Sequence, residues 1–129
     1  MDSIEIVKWI HLLAAAVWTG GLITLAFLVT AIRSTTEDVE VLRAVARRFG
    51  VLSWVAFAVA IITGTWMYTN AGLPWEDFSA KGTLIVVAGG LALFHQLTAK
   101  RSSPAMRGII QLLILIVSIG IFGSAVTLV

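Results

Sequence analysis

The chain has 129 residues, 59% hydrophobic and 12% charged, with no cysteine and a formal net charge of +2. Soluble domains are nearer half apolar and a quarter charged, so the composition excludes an ordinary water-soluble fold. The missing cysteines exclude a disulfide-framed secreted domain. What remains is a small polytopic membrane protein.

A helix crossing a hydrocarbon core of roughly 30 Å needs about 20 apolar residues. Charged side chains leave uncharged stretches at residues 9–32, from Arg48 onward to 75, at 82–99 and at 108–129. The expected fold is therefore all-α, a four-transmembrane-helix bundle. It forms a single transmembrane domain over residues 1–129, with spans near 4–32, 48–69, 79–99 and 106–128. Seven of the nine basic residues fall in two connections, Arg33, Arg43, Arg47 and Arg48 in one and Lys100, Arg101 and Arg107 in the other. Only Lys8 and Lys81 lie on the opposite side. Short basic loops stay cytoplasmic, which puts loops 33–48 and 100–107 inside and both termini outside. The first apolar stretch reads as an uncleaved helix, because Asp2 and Glu5 outweigh Lys8 ahead of it and it exceeds a signal peptide's apolar core.

Span one carries Trp9 at its outer end, where an interfacial aromatic anchors a helix. Small residues follow at Ala14, Ala15, Ala16, Gly20 and Gly21, permitting close helix approach. The adjacent glycines mark the expected site of a local irregularity. A break comes at residues 34–40, where Ser34, Thr35 or Thr36 can cap a new helix whose first turns hold Glu37, Asp38 and Glu40. Residues 36–48 read as a lead-in continuous with span two. Val39, Leu42, Ala46 and Phe49 form its apolar stripe, with Glu40, Arg43 and Arg47 on another face. Arg43, Arg47 and Arg48 read first as a topology signal facing lipid headgroups, and second as a site for an anionic ligand.

Span two ends in Trp66, Met67 and Tyr68, an expected outer aromatic girdle. Asn70, Gly72 and Pro74 punctuate the following turn, and Trp75 and Phe78 are expected against the membrane surface. Span three holds Gly82, Gly89 and Gly90. Span four has Pro104 just before its start and Gly120 and Gly123 toward its outer end.

Ionisable groups inside a bilayer are costly and mark function. His11 and His95 are the two histidines. At 1.5 Å per residue, His11 lies roughly 10 Å and His95 roughly 20 Å below the outer end. That offset is awkward for two imidazoles on one heme iron, yet within what tilt and rotamer absorb. Three readings stand: cofactor ligation by the pair, a proton or substrate role, and structural hydrogen bonding. His11 and Trp18 share a helical face with Ala14 and Ala15 between them, leaving room for a flat macrocycle. Lys81, Ala88 and His95 recur at sevens, so Lys81 can pair with a cofactor carboxylate at the outer end of that face, or snorkel to the surface. No catalytic constellation is visible among the scattered Ser and Thr residues. Gln111 is the better candidate for an interhelical contact. A Cu(I) site wants thiolate or thioether ligands, and here Met67 and Met106 fall at opposite surfaces.

The run Trp9-Ile10-His11-Leu12-Leu13-Ala14-Ala15-Ala16-Val17-Trp18-Thr19-Gly20-Gly21 resembles the first helix of the small CopD-like and HemJ-like four-helix membrane proteins. The likeness continues at Arg47-Arg48-Phe49, Gly64, Lys81 and His95. The HemJ-like branch implies heme b and the oxidation of protoporphyrinogen IX, with His11, Lys81 and His95 matching its first-helix histidine, its lysine and its third-helix histidine. That branch carries a Pro-Arg pair where this chain reads Leu25-Ala26-Phe27-Leu28, a departure bearing on the oxidase activity more than on heme binding. The CopD-like branch implies copper resistance or uptake.

The resulting expectation is a b-type heme protein of a prokaryotic inner or plasma membrane. His11 and His95 would be its iron ligands, with Lys81 and Trp18 beside the cofactor, in an electron-transport or other redox role. The alternative is a cofactor-free accessory subunit or a CopD-like copper-transport component. The partners implied are the lipid bilayer and either a second copy of the chain or a membrane redox protein, with no nucleic acid.

Overall fold

The computed structural model describes residues 1–72, 74, 76, 79–98, 101 and 103–128. The expected surface aromatics Trp75 and Phe78, and Lys100 of the second basic connection, lie outside the described residues. The described residues form four helices, α1 (Ser3–Thr35), α2 (Val39–Asn70), α3 (Ser79–Thr98) and α4 (Pro104–Leu128). The fold is all-α. The chain divides into two compact units, Met1–Leu73 and Pro74–Val129, and each is a pair of helices packed side by side.

In the first unit α1 begins with a reciprocal cap. The Glu5 backbone N–H donates to the Asp2 carboxylate at 2.8 Å, and the Asp2 N–H donates to the Glu5 carboxylate at 3.0 Å, so two otherwise unmade donors are satisfied. The helix then runs unbroken through Gly20 and Gly21 to Thr35. The irregularity expected at these glycines does not occur, because neighbouring turns close normally around them and only side-chain volume is missing. Ser34 and Thr35 also belong to α1, their hydroxyls bonding back to the Ala31 carbonyl. Neither they nor Thr36 caps α2. Asp38 does so, accepting the Glu40 N–H at 2.9 Å, and its carboxylate carries the charge that suits a helix N-terminus. The lead-in and span two form one continuous helix, as the sequence implied.

Ala14, Trp18 and Leu22, four apart, are the buried stripe of α1, and Ala56 and Tyr68 are buried on α2. Trp18 packs on Phe57 with ring centroids 4.6 Å apart, and Phe57 meets Trp54 edge-on at 5.9 Å. Such tilted and edge-to-face pairs suit aromatic quadrupoles. The pairings of His11 with Thr63 and Trp18 with Phe57 run in opposite chain directions, so α1 and α2 form an antiparallel hairpin. Carried toward the turn, this register sets Arg47 and Arg48 beside residues 26–28. Tyr68, expected in an outer girdle, is buried at 7% exposure, whereas Trp66 is exposed. The two residues point about 200° apart around α2, so burial of the side that carries Tyr68 leaves Trp66 exposed.

In the second unit Ala88 of α3 and Ile110, Ile114 and Ser118 of α4 are buried. The Ser118 hydroxyl is satisfied by donating to the Ile114 carbonyl at 2.7 Å. A Cβ on Gly120 would sit 3.6 Å from a Leu84 methyl, and His95 meets Gln111, so α3 and α4 are also antiparallel. Pro104 is the first residue of α4 rather than a residue before it. It fits there because that position has no helical use for an N–H, and the Ser103 hydroxyl accepts the Met106 N–H at 3.2 Å.

Apolar side chains also cover the outside. Phe27 and Val86 are about three-quarters exposed, and Ile62 and Leu97 nearly so. Exposed apolar area on this scale needs lipid or protein over it. Among the described residues α1 and α2 are long and apolar enough to cross a bilayer, while the corresponding stretch of α4, Ala105–Ile121, is shorter.

Candidate functional site

His11 lies in the seam of the first hairpin. Its Nδ1 is 2.9 Å from the Ala60 carbonyl oxygen and 3.0 Å from Thr63 Oγ1. A carbonyl oxygen can only accept, so the proton is on Nδ1 and His11 donates to Ala60. The Thr63 hydroxyl is already directed at its own helix, donating to the Val59 carbonyl at 2.6 Å. It therefore turns a lone pair toward the same imidazole N–H. Nδ1–H is thus the donor of this joint, shared between the Ala60 carbonyl and the Thr63 hydroxyl.

Gly64 completes this joint. A Cβ there would come within 3.0 Å of His11 Cε1 and 3.4 Å of Nδ1. The ring can reach the α2 backbone only because position 64 has no side chain. Ala60 and Gly64 are one helical turn apart, so one turn of α2 supplies both the acceptor and the gap. Trp18, expected on the His11 face, is there. It is buried against Phe57 two turns further along α1.

The space left between the helices is modest. An apolar hollow of about 200 Å³ opens between Ile10, Ala14 and Val17 of α1 and Leu52, Ala56 and Val59 of α2. Pockets for small molecules start near 300 Å³ and include a few placed polar groups. This hollow has neither the volume nor the polar lining.

His95 lies in the second unit. Its Nε2 is 3.0 Å from the Gln111 amide nitrogen. An amide N–H donates, so Nε2 is the acceptor and Nδ1 carries the proton. That Nδ1 is buried with no hydrogen-bond partner. Gln111 thus makes the interhelical contact expected of it. The face carrying Lys81, Ala88 and His95 is the one that meets α4, with Ala88 completely buried. Lys81 is half-buried at the start of α3. Each histidine is therefore tied to the partner helix of its own hairpin. Among the described residues no three or more His, Asp or Glu side chains converge as a metal-binding group.

Sequence reasoning missed Ala60 and Gly64 as partners of His11. Gly64 was visible only through a family likeness, and a backbone carbonyl leaves no mark in a sequence.

Long apolar helices in hairpins, polar groups tied across the seams and apolar outer faces together define an integral membrane helical protein. Residues 5–78, more than half of the chain, match the family described as "Predicted integral membrane protein (DUF2269)". The chain belongs to that family. The matched region includes both helices of the first hairpin and the His11–Gly64 joint. No curated protein and no solved structure matches the chain.

Proposed function

We propose that this protein is a cofactor-free accessory component of a membrane assembly, inserted through four spans with both termini outside. One observation carries the reading: the imidazole of His11 is used as a helix-to-helix fastener, clasped by the Ala60 carbonyl against Gly64. A histidine so employed explains an expensive polar group in an apolar span without any cofactor. Further support comes from Gly20, where an added Cβ would meet nothing within 4 Å, leaving α1 a face that another membrane helix can approach closely.

A second reading is favoured by the tautomer. Metal-ligating histidines commonly donate Nδ1–H to a carbonyl or carboxylate, which fixes the ring and presents Nε2. His11 has that disposition toward Ala60, in keeping with the resemblance to HemJ-like proteins. His95 fits less well, since its Nε2 is engaged by Gln111. In this reading His11 and His95 hold a b-type heme, Trp18 and Lys81 flank it, and the iron supplies one-electron redox chemistry. A CopD-like role in copper handling is the third branch.

The test is expression under heme-replete, copper-supplemented conditions, followed by purification in mild detergent. The accessory reading expects colourless protein without stoichiometric metal. It also expects His11→Ala to lower hairpin stability by about 1 kcal/mol, the scale of an interhelical hydrogen bond in a membrane. A reduced-minus-oxidised heme b spectrum lost in His11→Ala and His95→Ala would replace it with the heme reading. Bound copper lost in the same variants would replace it with the third.

A further inference from the structure

The turn end of the first hairpin carries two arginines with nothing to balance them. The carboxylates on α1 and α2 are Glu5, at the far end, and Glu40. Glu40 is held by Arg43 at 2.9 Å, and Asp38 ahead of it caps α2. Arg47 and Arg48 stand one turn beyond Arg43. Both are exposed, and among the described residues neither has a hydrogen-bond or ion-pair partner. The antiparallel register sets them level with Phe27. Eighteen residues of α1 separate Phe27 from Trp9, about 27 Å at 1.5 Å per residue. Trp9 and Trp66 are exposed aromatics at the opposite end. That interval is close to the roughly 30 Å of a hydrocarbon core. With the tryptophans at one interface, the two guanidiniums stand at the other, at the depth of lipid phosphates.

Arg48 differs from Arg47 in what extends from it along the helix. Steps of four and three residues put Arg48, Leu52, Val55 and Val59 on one face of α2, and the last three line the apolar hollow between α1 and α2. The floor of the hollow is Ala14 and Ala56, both buried, whose methyls leave open the space that larger side chains would take. Its rims, Leu13, Leu52 and Val55, are about half exposed, so the hollow opens along the side of the hairpin. Eleven residues separate Arg48 from Val59, about 16.5 Å. That is close to one leaflet, half of a core of roughly 30 Å.

We propose that Arg48 and this hollow form a binding site for an anionic phospholipid, with the phosphate diester on the guanidinium and one acyl chain in the hollow. The guanidinium presents a fork suited to two phosphate oxygens. A methylene chain requires no polar lining, and it gives the walls the dispersion contacts that an unfilled gap lacks. Arg47 points about 100° away around α2 and adds charge at the same depth without a hollow to follow. A lipid rather than a free anion is the source, because one exposed guanidinium offers a free phosphate a single contact, whereas the attached chain adds apolar burial. The site goes beyond the accessory reading and does not depend on it.

The experiment is native mass spectrometry of the full chain released from detergent micelles. The micelles are doped with dioleoylphosphatidylglycerol or with dioleoylglycerol, which has the same chains and no phosphate. Wild type retains the phospholipid and not the diacylglycerol. Arg48→Gln weakens retention by about fivefold, the value of one basic side chain at an anionic lipid surface. Arg48→Lys, which keeps the charge but not the fork, falls between. Val55→Trp fills the hollow from its exposed rim and weakens retention by a similar factor with every charge in place. Val51→Trp, the same change at an exposed position outside the hollow, leaves retention unchanged, as does Arg43→Gln.

Equal retention of the two lipids, or a loss in Arg43→Gln equal to that in Arg48→Gln, would overturn Arg48 as the phosphate ligand. Full retention by Val55→Trp, or an equal loss in Val51→Trp, would overturn the hollow as the seat of the chain. Displacement of the lipid by millimolar inorganic phosphate, with phosphate adducts in its place, would overturn the lipid in favour of a free anion.

Discussion

Substituting Gly64 by alanine tests the His11 joint from the opposite helix. The new Cβ would stand 3.0 Å from His11 Cε1, several tenths of an ångström inside ordinary van der Waals contact. The ring cannot retreat freely, because Nδ1 is held at 2.9 Å by the Ala60 carbonyl. Relief requires lengthening that bond or separating the helices. The loss is therefore that of an interhelical hydrogen bond, about 0.6–1.7 kcal/mol in membranes, plus the strain of partial overlap. Against it stands the helix preference for alanine over glycine, about 1 kcal/mol in aqueous hosts. The single substitution should consequently look nearly neutral. With His11→Ala present the clash is gone, and Gly64→Ala should then stabilise. The informative quantity is the coupling in the His11→Ala/Gly64→Ala cycle, expected at about 1–2 kcal/mol. It can be measured by reversible unfolding of the detergent-solubilised protein followed by circular dichroism. Additive effects, with coupling under about 0.3 kcal/mol, would refute the clasp.

Asp38→Ala removes the carboxylate that accepts the Glu40 N–H and should cost about 1 kcal/mol, visible in the same unfolding titration. Glu40→Gln should cost less than about 0.5 kcal/mol, because its 2.9 Å ion pair with Arg43 is exposed on both sides. Ala88→Leu places a large side chain where no surface is accessible and should destabilise the α3–α4 pair by at least about 1–3 kcal/mol. Loss of helical protection from hydrogen exchange confined to that pair is the expected signature. Trp18→Ala, emptying the aromatic seam beside Phe57, should cost about 3–5 kcal/mol, measured by the same unfolding assay.

The helices were legible because long apolar runs between charges admit few other structures, and the seven-residue spacing of Lys81, Ala88 and His95 correctly put them on one face. Gln111 stood out as a polar side chain in an apolar run and proved to bridge α3 and α4. Cap assignment failed at residues 34–38, where five consecutive capping or acidic residues compete and the choice depends on where α1 stops. The tie from His11 to Ala60 spans 49 positions of sequence. Periodicity places His11 on a face but does not say which carbonyl it will meet. Glycine composition likewise did not separate Gly64, which admits an imidazole, from Gly20 and Gly21, whose added Cβ atoms would meet nothing nearby.

The antiparallel register of the first hairpin also fixes a lever arm. Nine residues of α2 lie between Arg48 and the helix start at Val39, about 14 Å at 1.5 Å per residue. If Arg47 and Arg48 mark the headgroup level, the turn at residues 36–38 stands clear of the lipid on a two-helix stalk. A short epitope inserted there would report membrane sidedness in intact cells while leaving the His11 joint, about seven turns away along α1, undisturbed.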